Sequence, residues 1–307
     1  MNKRSIRIGT RESQLALWQA RTVQQSLEEK GYSCELVPIS STGDQVLDQP
    51  LYTLGITGIF TKTLDVAMLN GQVDIAVHSM KDVPTTLPQG IVQAAVPPRA
   101  TAEDILVLHP DQPEADFFNE PATIATGSLR RQAQWLHRYG HHEVVDLRGN
   151  VNTRLKKLKD STWQGAIFAK AGLERIEVLP DHYINLDWMI PAPAQGAMMV
   201  VALAKDDYCL EACAHLNHSA SEQCTAVEKQ FLKTLEGGCT APIGALATRV
   251  NGRIQIKGAL LSLDGQTKIE VAKDAPAAEW HQLGASAAQE VLDRGGAEVM
   301  AALKKMQ

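Results

Sequence analysis

The chain has 307 residues, 44% of them hydrophobic and 21% charged, which excludes a disordered chain and exceeds what one typical core holds. Its net charge of −5 excludes the global basic field of a nucleic-acid binder, and no apolar run approaches the length of a membrane span. Five cysteines, at 34, 209, 213, 224 and 239, are an odd number, and Met1 to Ser5 lead into a strand without a signal-peptide core. The expectation is a cytoplasmic chain with free thiols, not a disulfide framework.

The first strand is Ile6-Arg7-Ile8-Gly9. Ser13 then stands at an N-cap position, and Ala16, Ala20, Val23 and Leu27 keep helical spacing to about Lys30. Cys34 to Ile39 reads as a strand, Phe60 to Asn70 as a helix, and Val73 to Val77 and Val92 to Val96 as strands, together a parallel-sheet unit. Pro97 to Thr101 breaks the pattern and reads as a crossing between domains. A strand at Ile105 to His109 and a second βα series from Ala122 to about Leu186 follow. Ile190 to Gly196 reads as the return crossing, leading into the strand Met198 to Leu203. Two crossings predict two lobes with a cleft between them.

Leu210 to Leu216 and Glu222 to Leu235 read as helices. Ala245 to Val250, Arg253 to Leu261 and Thr267 to Ala272, with an Asp264-Gly265 turn, predict an antiparallel sheet, and a helix from about Ala277 to Arg294 closes the chain. The fold class is α/β: two doubly wound lobes resembling type II periplasmic-binding-protein domains, plus a smaller α+β C-terminal domain. The expected boundaries are 1–97 with 197–216, then 101–190, then 219–307.

The chemistry concentrates at strand ends, where open α/β sheets place their ligands. Val77 runs into His78-Ser79-Met80-Lys81-Asp82, leaving a lysine and an aspartate side by side. Arg11, Arg130, Arg131 and Arg148 each sit at a strand-to-helix junction. Arginine there binds a carboxylate bidentately, and a helix amino terminus adds free N–H groups for the same anion. A ligand with many carboxylates is implied. His78 reads as a strand-end hydrogen-bonding residue, not a base. Cys209, Cys213, His215, His218 and Cys224 lack the paired short spacing of a zinc site and read instead as a helix with buried thiols. Cys239, between Gly237-Gly238 and Pro242, lies on a tight loop where a thiol is exposed enough to react.

Taken together these motifs carry a resemblance. Arg11 with Ser13 and Leu15 to Gln19, Asp74 to Pro84, Ser128 to Gln132, Leu147 to Val151 with Arg154, and Glu236 to Cys239 with Pro242-Ile243-Gly244 resemble the hydroxymethylbilane synthase family, also called porphobilinogen deaminases. The match runs in order along nearly the whole chain. It implies a cytoplasmic, monomeric transferase of tetrapyrrole and haem biosynthesis with no metal, nucleic-acid or membrane partner. The implied cofactor is a dipyrromethane held by a thioether to Cys239. Four molecules of the substrate porphobilinogen are added head to tail with loss of ammonia, and water releases the linear tetrapyrrole, hydroxymethylbilane.

Under that resemblance Asp82, with Lys81, is catalytic: it assists departure of ammonia and offsets the cation left behind. Cys239, Arg11, Ser13, Lys81, Asp82, Ser128, Arg130, Arg131, Arg148 and Arg154 hold the cofactor, while Arg11, Gln19, Arg148, Arg154, Arg175 and Gln195 hold substrate. The chain departs from the family pattern at Leu54 and Thr57, where lysines are common, at Thr42, where a basic residue is common, at Gly127, where serine is common, and at Ala194, where glycine is usual. Two alternatives stay open: a non-catalytic two-lobed module binding a small anion, and a paralogue that keeps the fold without turnover.

Overall fold

The computed structural model describes residues 4–40, 61–111, 118–237 and 241–305. Within these the chain forms two compact units, one containing 4–40, 61–100 and 196–223, the other 101–111, 118–195, 224–237 and 241–305.

The first unit is built on a five-stranded sheet in the order β2-β1-β3-β10-β4. Its strands are β1 (Ile6–Thr10), β2 (Cys34–Pro38), β3 (Ile75–Ser79), β4 (Ile91–Ala95) and β10 (Met198–Leu203). β1 runs parallel to β2 and β3, with Ile8 opposite both Leu36 and Ile75. The sheet is mixed and not the parallel unit expected: β10 is antiparallel to both β3 and β4. The strand that returns after the long excursion through 101–195 enters from the opposite end, a direction that no feature of its own apolar sequence encodes.

Helix α1 (Gln14–Glu28) starts at Ser13, whose hydroxyl accepts from the Ala16 N–H at 3.4 Å. It buries Ala16, Gln19, Ala20, Val23 and Leu27 on one stripe. It ends before Gly31, which takes φ 82° while the Tyr32 N–H returns to the Leu27 carbonyl. The same sheet face carries α6 (Asp207–Ala214), whose Cys209 and Cys213 lie in the core with Ile8, Val77 and Val200. Burial pushes the Cys34 thiol up to about 11 and the Cys213 thiol up to about 12, so both are protonated and inert at neutral pH. Cys224 is buried in a different core, near the C-terminus. On the other sheet face α2 (Lys62–Leu69) seats Leu64 against Gly9, where an added Cβ would lie 3.2 Å from Leu64 and 3.0 Å from Val73.

The second unit has a five-stranded sheet ordered β7-β6-β8-β5-β9: β5 (Asp104–Leu108), β6 (Thr123–Ala125), β7 (Glu143–Val145), β8 (Gly165–Ala169) and β9 (Tyr183–Asn185). Alternate residues of β5 feed opposite faces, Leu106 and Leu108 packing with Trp135, and Ile105 and Val107 with Leu147 and Phe168. Three helices follow strands here: α3 (Leu129–Arg138), α4 (Val151–Lys159) and α5 (Lys170–Arg175).

The same unit includes a three-stranded antiparallel sheet, β11 (Ile243–Val250), β12 (Arg253–Leu261) and β13 (Lys268–Pro276). One face is covered by α7 (Ser219–Thr234), α8 (Leu283–Val291) and α9 (Ala297–Lys305) around Phe231. On the other, Ala259 and Leu261 pack against Ala133 of α3. The β12–β13 turn meets α3 at Gly265, where φ is 72° and an added Cβ would lie 2.6 Å from the His137 nitrogen. The closing helix differs from expectation: it begins at Leu283, and at Gly295, with φ 98°, the chain kinks and continues as α9. A glycine pair permits that left-handed step, and 297–305 keep helical periodicity beyond it.

Gly284 of α8 sits so close to α7 that an added Cβ would lie 2.0 Å from the Val227 carbonyl oxygen. Gly284→Ala is therefore expected to separate the two helices and lower stability by about 1–3 kcal/mol, read as a reduced urea midpoint; an unchanged midpoint would mean that α8 shifts freely.

Candidate functional site

In the first unit the residues singled out from sequence gather at the carboxyl ends of two neighbouring strands. Arg11 follows β1, and Lys81-Asp82 follow β3, which pairs with β1 in parallel. The turn Met80–Asp82 is held by the Met80 N–H on the Ala197 carbonyl at 3.0 Å and the Val83 N–H on the Met80 carbonyl at 3.2 Å. Lys81 and Asp82 are half-buried, and among the described residues no hydrogen bond or ion pair engages the Asp82 carboxylate. Gln19 reaches over from α1, buried, and donates its amide to the Ser79 hydroxyl at 2.9 Å. Ser13 serves as the α1 N-cap. Burial, together with the Arg11 charge, pushes His78 down to about 4, so it is neutral at physiological pH.

In the second unit the centre is a residue that the motifs did not single out, Asp104, first in β5, with its side chain fully buried. Arg130 donates from Nη1 to its Oδ2 at 2.7 Å and to the Ile190 carbonyl at 2.9 Å. Arg131 donates from Nε to Oδ1 at 2.9 Å, its Nη2 lies 2.8 Å from the same oxygen, and its Nη1 donates to the Ile167 carbonyl at 2.9 Å. Gln195 donates from Nε2 to Oδ1 at 2.9 Å and to the Ala102 carbonyl at 2.7 Å. Burial alone raises a carboxyl; the two guanidiniums and the hydrogen bonds from Arg130 and Gln195 outweigh it and hold Asp104 well below the ordinary carboxylate range. The only sequence signal was a charge opening an otherwise wholly apolar strand.

Ser128 caps α3, accepting from the Arg131 N–H at 3.5 Å. The loop before it touches the loop carrying Arg148: the Thr126 N–H donates to the Val145 carbonyl, and a Cβ on Gly127 would lie 2.5 Å from the Leu147 oxygen. The serine common in the family would not fit here without a shift. Arg148 is buried, donates from Nε to Asp146 at 3.1 Å, and keeps Nη2 buried without a protein acceptor, as does Nε of Arg130. Arg154 lies on α4, capped by Asn150, and Arg175 on α5; both are half-buried. Ala194 holds φ 63°, the conformation that explains the family's glycine, and its N–H donates to the buried Glu228 carboxylate at 2.6 Å. Cys239, Thr42, Leu54 and Thr57 lie outside the described residues, as does Phe60 at the expected start of α2.

In the second unit the buried guanidinium donors of Arg130 and Arg148 without a protein acceptor mark an α/β protein suited to an anionic ligand. Residues 6–211 match the family described as porphobilinogen deaminase, dipyrromethane cofactor binding domain, and 222–293 match porphobilinogen deaminase, C-terminal domain. The porphobilinogen deaminase of Syntrophotalea carbinolica is 41% identical over 99% of this chain and 97% of its own. That of Desulfosudis oleivorans is 39% identical over 98% and 99%. Among solved structures an ancestral cationic amino acid solute binding protein aligns at TM-score 0.43 and 13% identity over 69% of this chain and 88% of its own, a likeness too loose to bear on function. The chain belongs to the porphobilinogen deaminase family.

Removing the Asp104 carboxylate strands two buried guanidiniums, so Asp104→Ala is expected to cost about 3–5 kcal/mol in urea unfolding. The native carboxyl is depressed below its ordinary 3.8, so as pH falls the unfolded chain takes up the proton first. The stabilisation is present above that value and is lost as pH drops through it toward the native one. Wild type should therefore lose stability more steeply than Asp104→Asn between pH 5 and pH 3; parallel curves would contradict the pairing.

Proposed function

We propose that the chain is a hydroxymethylbilane synthase: it condenses four porphobilinogen molecules head to tail on a covalent dipyrromethane, releasing ammonia at each step and hydroxymethylbilane by hydrolysis. The observation that carries this reading is identity of about 40% across nearly the full length of two deaminases. It makes the chain a transferase acting on a small molecule, and we place it in the cytoplasm as a monomer.

The buried residues suit the cofactor. A dipyrromethane made from porphobilinogen carries acetate and propionate groups, and Arg148 Nη2 and Arg130 Nε are buried cationic donors lacking a protein acceptor. Arg11, Ser13, Lys81, Asp82, Ser128, Arg130, Arg131, Arg148 and Arg154 are assigned to holding it, with Cys239 as the thioether attachment. Once bound, it supplies the nucleophilic pyrrole carbon to which substrate is joined.

Asp82 is the catalytic carboxylate. With no described partner it is free to accept pyrrole N–H groups and to keep the aminomethyl nitrogen of porphobilinogen protonated, so that ammonia is the leaving group. Its negative charge then offsets the cation that develops on the substrate ring. Lys81 beside it supplies positive charge for a substrate carboxylate. Arg11, Gln19, Arg148, Arg154, Arg175 and Gln195 are assigned to positioning the substrate. His78, neutral and enclosed, contributes no charge.

The denatured intact mass should exceed the polypeptide by two porphobilinogen residues, and Cys239→Ser should remove the excess. If no excess exists even after incubation with porphobilinogen, the synthase reading fails in favour of an anion-binding module. Asp82→Asn is expected to lower turnover by about 10²–10⁴-fold at unchanged thermal midpoint, measured as porphobilinogen consumed; near-normal turnover would remove Asp82 from the mechanism.

A further inference from the structure

Two neighbouring arginines at a carboxylate site ordinarily add two full positive charges, yet here both guanidiniums close on one buried carboxylate. Both Asp104 oxygens are occupied, Oδ2 by Arg130 and Oδ1 by Arg131 and Gln195. The backbone that carries this carboxylate is fixed by pairing of β5 with β8, where Asp104 lies opposite Ala169, and the carboxylate itself by these donors. Arg130 is thereby held through Nη1, which also donates to the Ile190 carbonyl, and Arg131 through Nε and Nη2, with Nη1 on the Ile167 carbonyl. The two guanidiniums and the carboxylate together carry one net positive charge.

We propose that Asp104 is a positioning residue that sets the aim and net charge of the Arg130–Arg131 pair, with Gln195 as the donor that locks it. The inference rests on the reading above, in which each condensation adds two more carboxylates to a protein-bound chain. A site with both charges uncancelled would tighten its grip as the chain gains charge, and would resist release. Cancelling one charge keeps the pair able to orient carboxylates while letting them exchange. Gln195, assigned above to substrate, then acts through Asp104: its amide bridges the Ala102 carbonyl and the carboxylate.

The test compares four full-length chains, each also carrying Cys239→Ser so that the site holds no thioether: the otherwise unaltered chain, Asp104→Asn, Arg130→Gln, and the double variant. Citrate binding is measured by calorimetry at 20 and 200 mM NaCl. Asp104→Asn should bind citrate about tenfold more tightly at low salt, about 1.4 kcal/mol, with the gap narrowing at high salt. If Asp104→Asn does not fold, the double variant still decides, since it leaves one guanidinium without its carboxylate where the single variant leaves two. It should bind citrate about tenfold more tightly than Arg130→Gln, from which it differs only by the Asp104 charge. Equal citrate affinities in those two overturn the proposal.

With Cys239 restored, Asp104→Asn should show a lower KM for porphobilinogen and a lower kcat, and intact mass should show unfinished chains accumulating on the protein. A lower kcat at unchanged or raised KM overturns the proposal and leaves Asp104 a merely structural residue. If the unaltered chain does not consume porphobilinogen at all, the function reading fails, while the citrate comparison still tests the charge balance.

Discussion

A carboxylate shut away from water costs several kcal/mol unless cations and hydrogen bonds replace its hydration, and this requirement at Asp104 organises the second unit. The groups that satisfy it come from segments distant in sequence: Arg130 and Arg131 from the first turn of α3, and Gln195 from the segment before β10. None can be displaced without stranding charge. The arrangement is reinforced by Gln134, whose amide donates to the Ile190 carbonyl and whose oxygen accepts from the Ile190 N–H, both at 2.8 Å. Helix α3 is thus fastened along its length, by Asp104 at one end and by the Gly265 turn at the other.

Fixing α3 has a consequence for the neighbouring loop. Because Gly127 offers no side chain, the Leu147 carbonyl can lie where a Cβ would be, and Arg148 follows at once. A small residue in one loop therefore determines where a cation in another is held. The capped amino terminus of α3 and the Arg148 guanidinium then belong to one neighbourhood of positive potential. In the first unit the comparable device is the pairing of β1 with β3, which brings the Arg11 turn and the Lys81-Asp82 turn to adjacent strand ends.

What the sequence made legible was local. Ser13 announced the helix start that it caps, and Asp264-Gly265 marked the β12–β13 hairpin. Arg11, Lys81, Asp82 and Arg148 stood in the turns that follow strands, as their spacing implied. What it hid was set by tertiary partners. Nothing in Met198 to Leu203 distinguishes an antiparallel strand from a parallel one, because a strand buried on both faces shows the same apolar run in either direction. Nor did Asp104 declare itself, since a polar residue at a strand edge is ordinarily solvated. Its role depends on Arg130 and Arg131, 26 and 27 positions away.

The two kinds of arginine in the second unit show why residue type alone could not assign roles. Arg131 spends its donors on Asp104 and the Ile167 carbonyl, and is held inward; Arg148 has Asp146 on Nε, yet Nη2 stays buried with no protein acceptor. A buried guanidinium N–H without an acceptor is costly, and an incoming carboxylate removes that cost when it binds. A ligand at Arg148 would therefore relieve a deficit, whereas at Arg131 the deficit is already met by Asp104. By this reasoning a carboxylate would meet unmet donors at Arg148 Nη2 and at Arg130 Nε alike, whereas Arg131 would act chiefly through its pairing with Asp104.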